Sequence, residues 1–124
     1  MKTALFITDC SADSARRLRQ WLATHADSTI RLTIVLPYNI APGLPLTRNT
    51  FNPVKEAAQQ QLKSWSLALE GTIFSETVLA TPDLALTIYL MLRTYTYWLA
   101  NSSEQVTQFA ELAAKTSTQV YCQP

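Results

Sequence analysis

The chain has 124 residues, a net charge of +1 and only 15% charged residues. That length fits one domain, burying roughly two thirds of the surface its unfolded form exposes, and the charge content lies below the typical ~25%. The basic residues are scattered except for Arg16, Arg17 and Arg19, so no footprint for nucleic acid exists, and that cluster is expected to be a solvated helix face.

The first strand is expected at Thr3 to Thr8. Its apolar stretch from Ala4 to Ile7 is cut off by Asp9, too early for a secretion signal, which makes a cytoplasmic protein the expectation. A helix then runs to His25 from an N-cap at Ser11, presenting Ala15, Leu18 and Leu22 at helical spacing, with Trp21 widening that face. The second strand, Ile30 to Leu36, alternates Ile30, Leu32, Ile34 and Leu36 before Pro37 ends it.

A loop from Pro37 to Asn52 contains Pro42, Gly43 and Pro45 and exceeds the ~2–6 residues of an ordinary connection. Helix two is expected to begin with Asn52 as N-cap and Pro53 at its first position. Its stripe is Val54, Ala58, Leu62, Trp65 and Leu69, and Gly71 stops it. A third strand falls within Ile73 to Ala80, and Thr81-Pro82 starts a third helix, Asp83 to Arg93, apolar nearly all round. The apolar region from Leu84 to Ala100 carries Arg93 and is shorter than the ~20 residues of a membrane span, so no membrane is expected as a partner.

Strand four, Tyr95 to Ala100, places Tyr95, Tyr97 and Leu99 on one face and Trp98 and Ala100 on the other, which suits a central strand. Ser102 with Gln105 has the form of a capping box at the start of helix four, whose stripe is Val106, Phe109, Ala110 and Ala113. Thr118 to Cys122 is the fifth strand, followed by Pro124.

The order βαβαβαβαβ gives one α/β domain over residues 1–124, a doubly wound parallel sheet with helices on both faces. Such a sheet opens a crevice at the carboxyl ends of its strands where the winding reverses. Asp9 and Asn101 belong at such ends, although residues of these types are favoured at helix starts and each can cap the helix that follows it without any ligand.

Several segments together resemble the universal stress protein family: Phe6 through Asp9 and Ser11 to Leu18, Arg31 to Pro37, Thr77 to Pro82, and Thr118 to Cys122. The resemblance covers nearly the whole chain and implies a stress-response role, an open sheet of order 3-2-1-4-5 and homodimers. In one branch it also implies ATP at the ends of strands one and four. Transferred residue by residue, the adenine side of that site falls on Thr8 and Asp9, with Val35 near the end of strand two, and Asn101 joins them only by its place at the crevice after strand four. The family's phosphate loop is glycine-spaced, whereas this chain has Asn101-Ser102-Ser103-Glu104 and no glycine beyond Gly71.

Each charge-assisted backbone bond to phosphate is worth ~1.5–3 kcal/mol, so losing about three removes on the order of 5–9 kcal/mol. Micromolar affinity amounts to only about 8 kcal/mol. The expectation is therefore a non-enzymatic domain without ATP or any other cofactor, acting as a homodimer through strand five or on a protein partner. The alternative is a nucleoside or AMP-like ligand held by Thr8, Asp9, Val35 and Asn101.

No catalytic or metal site is expected. His25, the only histidine, lies away from the crevice, and Cys10 and Cys122 match no metal-ligand spacing. The strand order also separates those two cysteines by an intervening strand, beyond the ~7 Å reach of a disulfide. Tyr89, Tyr95, Tyr97 and Trp98 are expected in the core rather than on a base-stacking platform.

Overall fold

A computed structural model of the chain describes residues 2–25, 30–40, 43, 45, 47–67 and 73–122. The elements are β1 (Lys2–Ile7), α1 (Ala12–Thr24), β2 (Ile30–Tyr38), α2 (Arg48–Ser66), β3 (Ile73–Leu79), α3 (Pro82–Leu92), β4 (Tyr97–Ala100), α4 (Ser103–Lys115) and β5 (Gln119–Cys122). All five strands pair in parallel, as the alternating elements predict, and in the order β3-β2-β1-β4-β5 that the family resemblance implies. Pro42, Leu69, Gly71 and Pro124 lie outside the described residues.

Alternation along the strands divides the core into two layers. Ala4, Phe6, Leu32, Ile34, Tyr97 and Leu99 pack with Leu18 and Trp21 of α1 and Ala58 and Leu62 of α2. Leu5, Ile7, Val35, Trp98 and Ala100 pack with Leu86 and Leu90 of α3 and Phe109 and Ala113 of α4. Both faces of β1 from Ala4 to Ile7 and of β4 are thus covered, and those stretches are apolar without a break. Tyr95 joins the α3 and α4 layer rather than the layer of Tyr97, because β4 begins only at Tyr97 and the strand's alternation does not reach it. Trp65 stacks on Phe6 with centroids 6.5 Å apart, and its indole N–H donates to the Ser11 carbonyl at 2.9 Å. That bond fixes α2 against the start of α1.

Three helices start at the residues their capping chemistry indicates. The side chains of Ser11, Thr81 and Ser102 accept from the backbone N–H groups of Ser14, Leu84 and Gln105 at 3.1, 3.2 and 3.1 Å. Helix α2 departs from expectation, since it begins at Arg48 with Thr47 as N-cap, and Pro53 lies inside it. The Thr47 N–H donates to Thr50 Oγ1 at 3.0 Å, and the Phe51 N–H to the Thr47 carbonyl at 2.8 Å. Pro53 cannot donate to the Asn49 carbonyl, and both residues lie on the exposed side of the helix.

Strand β2 also runs past its expected end, through Pro37 to Tyr38. Thr8 donates to the Val35 carbonyl at 2.9 Å and Ala80 to the Tyr38 carbonyl at 3.1 Å, so Val35 faces β1 and Tyr38 faces β3. By the same alternation Pro37 faces the side where β1 has already ended, and its missing N–H breaks no ladder bond.

Cys10 and Cys122 are not joined to each other. With β4 lying between β1 and β5, the strand order keeps them apart. No described helix is long and apolar enough to cross a membrane.

Candidate functional site

Winding reverses between β1 and β4, and a crevice of about 220 Å³ opens at their carboxyl ends. It is lined by Ile7, Thr8, Asp9, Ser14, Arg17, Pro82 and Asn101. Three of the four residues singled out in the sequence therefore meet there. Val35 does not: its side chain is wholly buried in the layer beneath α3 and α4, and only its carbonyl reaches this end of the sheet, where it accepts from Thr8.

Most of the polar groups of the crevice are already engaged in holding the fold. Thr8 is buried, and its Oγ1 accepts from the Cys10 N–H at 2.9 Å. This bond closes the turn in which Cys10 takes φ 59°, a left-handed conformation that costs a non-glycine residue roughly 1–2 kcal/mol. Asp9 Oδ1 accepts from the Ser11 N–H at 2.9 Å and from Ser14 Oγ at 2.7 Å. Asn101 donates from Nδ2 to the Ile7 carbonyl at 2.8 Å, tying β4 to β1 beyond the end of their ladder, and its N–H donates to Gln105 Oε1 at 3.1 Å. Its Oδ1 is buried without a partner among the described residues.

Arg17 was missed by the pattern of charges. Arg16 and Arg19 are exposed as expected, but the Arg17 side chain is only 25% exposed and turns into the crevice. Its Nη1 donates to the Asn101 carbonyl at 2.6 Å, while Nε and Nη2 donate to Asp13 Oδ2 at 3.0 and 2.7 Å. The signal in the sequence was position: Arg17 stands three residues after Ser14 and four before Trp21, both buried, at the margin of the inward stripe of α1. Its charge is offset by Asp13, whose carboxyl is held below its ordinary pKa by hydrogen bonds from Arg16 and Arg17.

Burial pushes the Asp9 pKa up, but the bonds from Ser11 and Ser14 outweigh it and hold the carboxyl below its ordinary value. A lowered folded pKa means that ionised Asp9 adds stability in full above its unfolded pKa of ~3.9 and that this is lost as pH falls through the folded value. Asp9→Asn is therefore expected to lower Tm at pH 7 and to flatten its fall below about pH 4. Thermal denaturation followed from pH 2 to 7 checks both; parallel curves for the two proteins would remove Asp9 from the acid transition.

Cys10 sits beside this carboxylate. Burial, with the Asp9 charge second, pushes the thiol up to about 11. About one molecule in ten thousand then carries the thiolate at pH 7, which is no setting for a nucleophile. Among the described residues no group of histidine, cysteine and carboxylate side chains could hold a metal ion.

At the far side of the crevice only Asn101 and Ser102 separate β4 from α4. The first turn of α4 has its N–H groups partly consumed by Ser102, and it carries Glu104, whose charge opposes an anion at that helix end.

No family model matches the chain, and no curated protein does. Among solved structures, a universal stress protein in complex with cAMP superposes with a TM-score of 0.58 at 16% identity, covering 99% of this chain and 97% of that one. A protein of the universal stress protein family from Burkholderia pseudomallei gives 0.56 at 17% identity, with 99% and 96% covered. The universal stress protein from Archaeoglobus fulgidus gives 0.56 at 8% identity, with 98% and 93% covered. Identities this low establish the fold: strand order, connection and helix placement are those of the universal stress proteins.

Proposed function

We propose that this chain, with its universal stress protein fold, is a non-enzymatic cytoplasmic domain that works by self-association through β5 and does not bind ATP. The observation that carries this reading is the state of the crevice. Asp9 Oδ1, the Arg17 guanidinium and the Asn101 side-chain amide N–H each spend hydrogen bonds on the chain itself. The opening of about 220 Å³ also falls short of the ~300–1,000 Å³ typical of ligand pockets. A triphosphate would have to displace Asp13 from Arg17 and approach Glu104, with no glycine loop to receive it.

One observation favours a second reading. The buried Asn101 Oδ1 lacks a donor, and a nucleoside amine or hydroxyl would supply one. The structural neighbour bound to cAMP supports a small ligand of that kind, held here by Thr8, Asp9 and Asn101.

Thermal shift with adenosine, AMP, cAMP and ATP, alongside sedimentation equilibrium, separates the readings. The first expects a dimer at micromolar concentration and no shift with millimolar nucleotide. A ligand at a hundred times its Kd stabilises by about 2.7 kcal/mol, which a shift assay detects readily. A shift with adenosine or cAMP but not with ATP would install the second reading in place of the first.

A further inference from the structure

The sheet has two edges, and the one away from β5 is β3. Because Ala80 donates to Tyr38, the even-numbered residues of β3 direct their backbone groups to β2, and Ser75, Thr77 and Leu79 direct theirs outward. No strand lies beside them among the described residues. Neither lysine nor proline guards this edge. Its single charge, Glu76, is drawn to the α3 side, where it accepts from the Tyr89 hydroxyl and lies 3.8 Å from Arg93 Nη2.

The two sides of this edge differ in chemistry. On the α2 side a groove of about 420 Å³ is lined by Lys55, Gln59, Lys63 and Ser66 of the helix and by Ser75 and Thr77 of the strand, with Glu76 also at its border. Lys55, Gln59 and Lys63 repeat every four residues and so share one helix face. Among the described residues neither lysine has a carboxylate within ion-pair distance. On the α3 side Phe74 is 49% exposed, and Met91 and Leu92 are 68% and 76% exposed at the end of the helix from which Tyr89 and Arg93 reach Glu76.

We propose that the outer edge of β3 takes up an extended segment of a partner protein in which acidic residues alternate with apolar ones, added as a sixth strand. Successive side chains of a strand point to opposite faces, so the acidic set meets the lysines and the apolar set meets Phe74 and the end of α3. The spacing agrees. Lys55 and Lys63 are separated by a helical rise of about 12 Å, and carboxylates four residues apart on a strand by about 13 Å. A second copy of this chain does not fit, because Ser75, Thr77 and Leu79 offer no carboxylate to the lysine side and would bring the lysines of both copies together.

The test uses a fluorescein-labelled peptide of alternating Val and Glu, about ten residues long, in fluorescence anisotropy. It is expected to bind, and to lose at least about tenfold in affinity against Lys55→Glu/Lys63→Glu. A peptide of alternating Val and Lys, one of the same composition with its valines and glutamates in separate blocks, and one N-methylated at alternate residues are each expected to bind at least about tenfold more weakly. Val120→Lys on the opposite edge should leave peptide affinity unchanged, so failure here is distinguishable from failure of the β5 dimer. No binding below millimolar concentration overturns the proposal, as does equal binding of the N-methylated or block peptide, which would signify charge attraction without strand addition. A change in sedimentation of the lysine variant without peptide would assign the edge to a second copy and also overturn it.

Discussion

Trp98→Ala is expected to destabilise the protein by about 3–5 kcal/mol, the range for removing a large buried aromatic side chain. Trp98 has no exposed surface and is held edge-on to Phe109, with centroids 6.1 Å apart at 82°. It pairs with Leu5 on one side and Val120 on the other, so the cavity would open in the middle of the sheet, where neither strand can move inward without breaking a ladder. A domain of this size has a total stability of about 5–15 kcal/mol, and the loss translates into a fall in Tm of roughly 10–20 °C. Thermal denaturation followed by far-ultraviolet circular dichroism measures it, with Trp98→Phe expected to lose about half as much. A fall of less than about 5 °C for the alanine variant would show that the layer between β4, α3 and α4 is not packed as described.

The same residue shows why the fold was readable in the sequence. Trp98 and Ala100 alternate with Tyr97 and Leu99 on a strand that is apolar on both faces, and only a central position in a parallel sheet buries both. Ser11, Thr81 and Ser102 marked their helix starts because a hydroxyl that accepts a backbone N–H does so wherever the chain runs. Asn52-Pro53 carries the same signature and misled. Pro53 instead stands inside the helix and forgoes one bond, to Asn49, and the real start at Thr47 rests on a threonine pair, Thr47 and Thr50, that lacks the acid of a conventional capping box. Pro37 misled for a related reason: whether a proline ends a strand depends on which neighbour its nitrogen faces, and that is a property of the sheet.

The crevice was legible in outline only. Asp9 and Asn101 were placed because aspartate and asparagine at the ends of β1 and β4 must lie where the winding reverses. That Asp9 binds Ser14 and that Asn101 bridges to Ile7 depends on how closely β1, β4 and α1 approach, which no local pattern encodes. Arg17 is the clearest case. Three arginines within four positions read as a solvated face, yet a helix margin belongs partly to the interior, and Arg17 buries enough of its stem to bond Asn101 and Asp13 at once. Val35 failed in the opposite direction, because strand alternation turns its side chain into the core while its backbone alone reaches the site.

The proposed dimer carries the second large effect. β5 is an edge strand of four residues, Gln119 to Cys122, without a charge or a proline to block association. Gln119 donates to the Thr96 carbonyl at 3.0 Å, so Gln119 and Tyr121 face β4 and the backbone of Val120 faces outward. Tyr121 is packed from behind by Trp21, His25 and Tyr97, with centroids 6.2, 5.3 and 5.4 Å away. A two-fold axis through this edge brings the same residues of both copies together, so one substitution acts twice. Val120→Lys would place two ammonium groups near the axis, and like charges at an interface cost several kcal/mol, about a thousandfold in dimer Kd. Val120 is only half-buried in the protomer, so its folding should lose no more than about 1–2 kcal/mol, and the variant should be a folded monomer. Tyr121→Lys is the poorer test, since it also dismantles the aromatic cluster behind the strand. Sedimentation equilibrium of both proteins at high micromolar concentration decides the matter. A wild type that stays monomeric, or a Val120→Lys variant that stays dimeric, would move self-association away from β5.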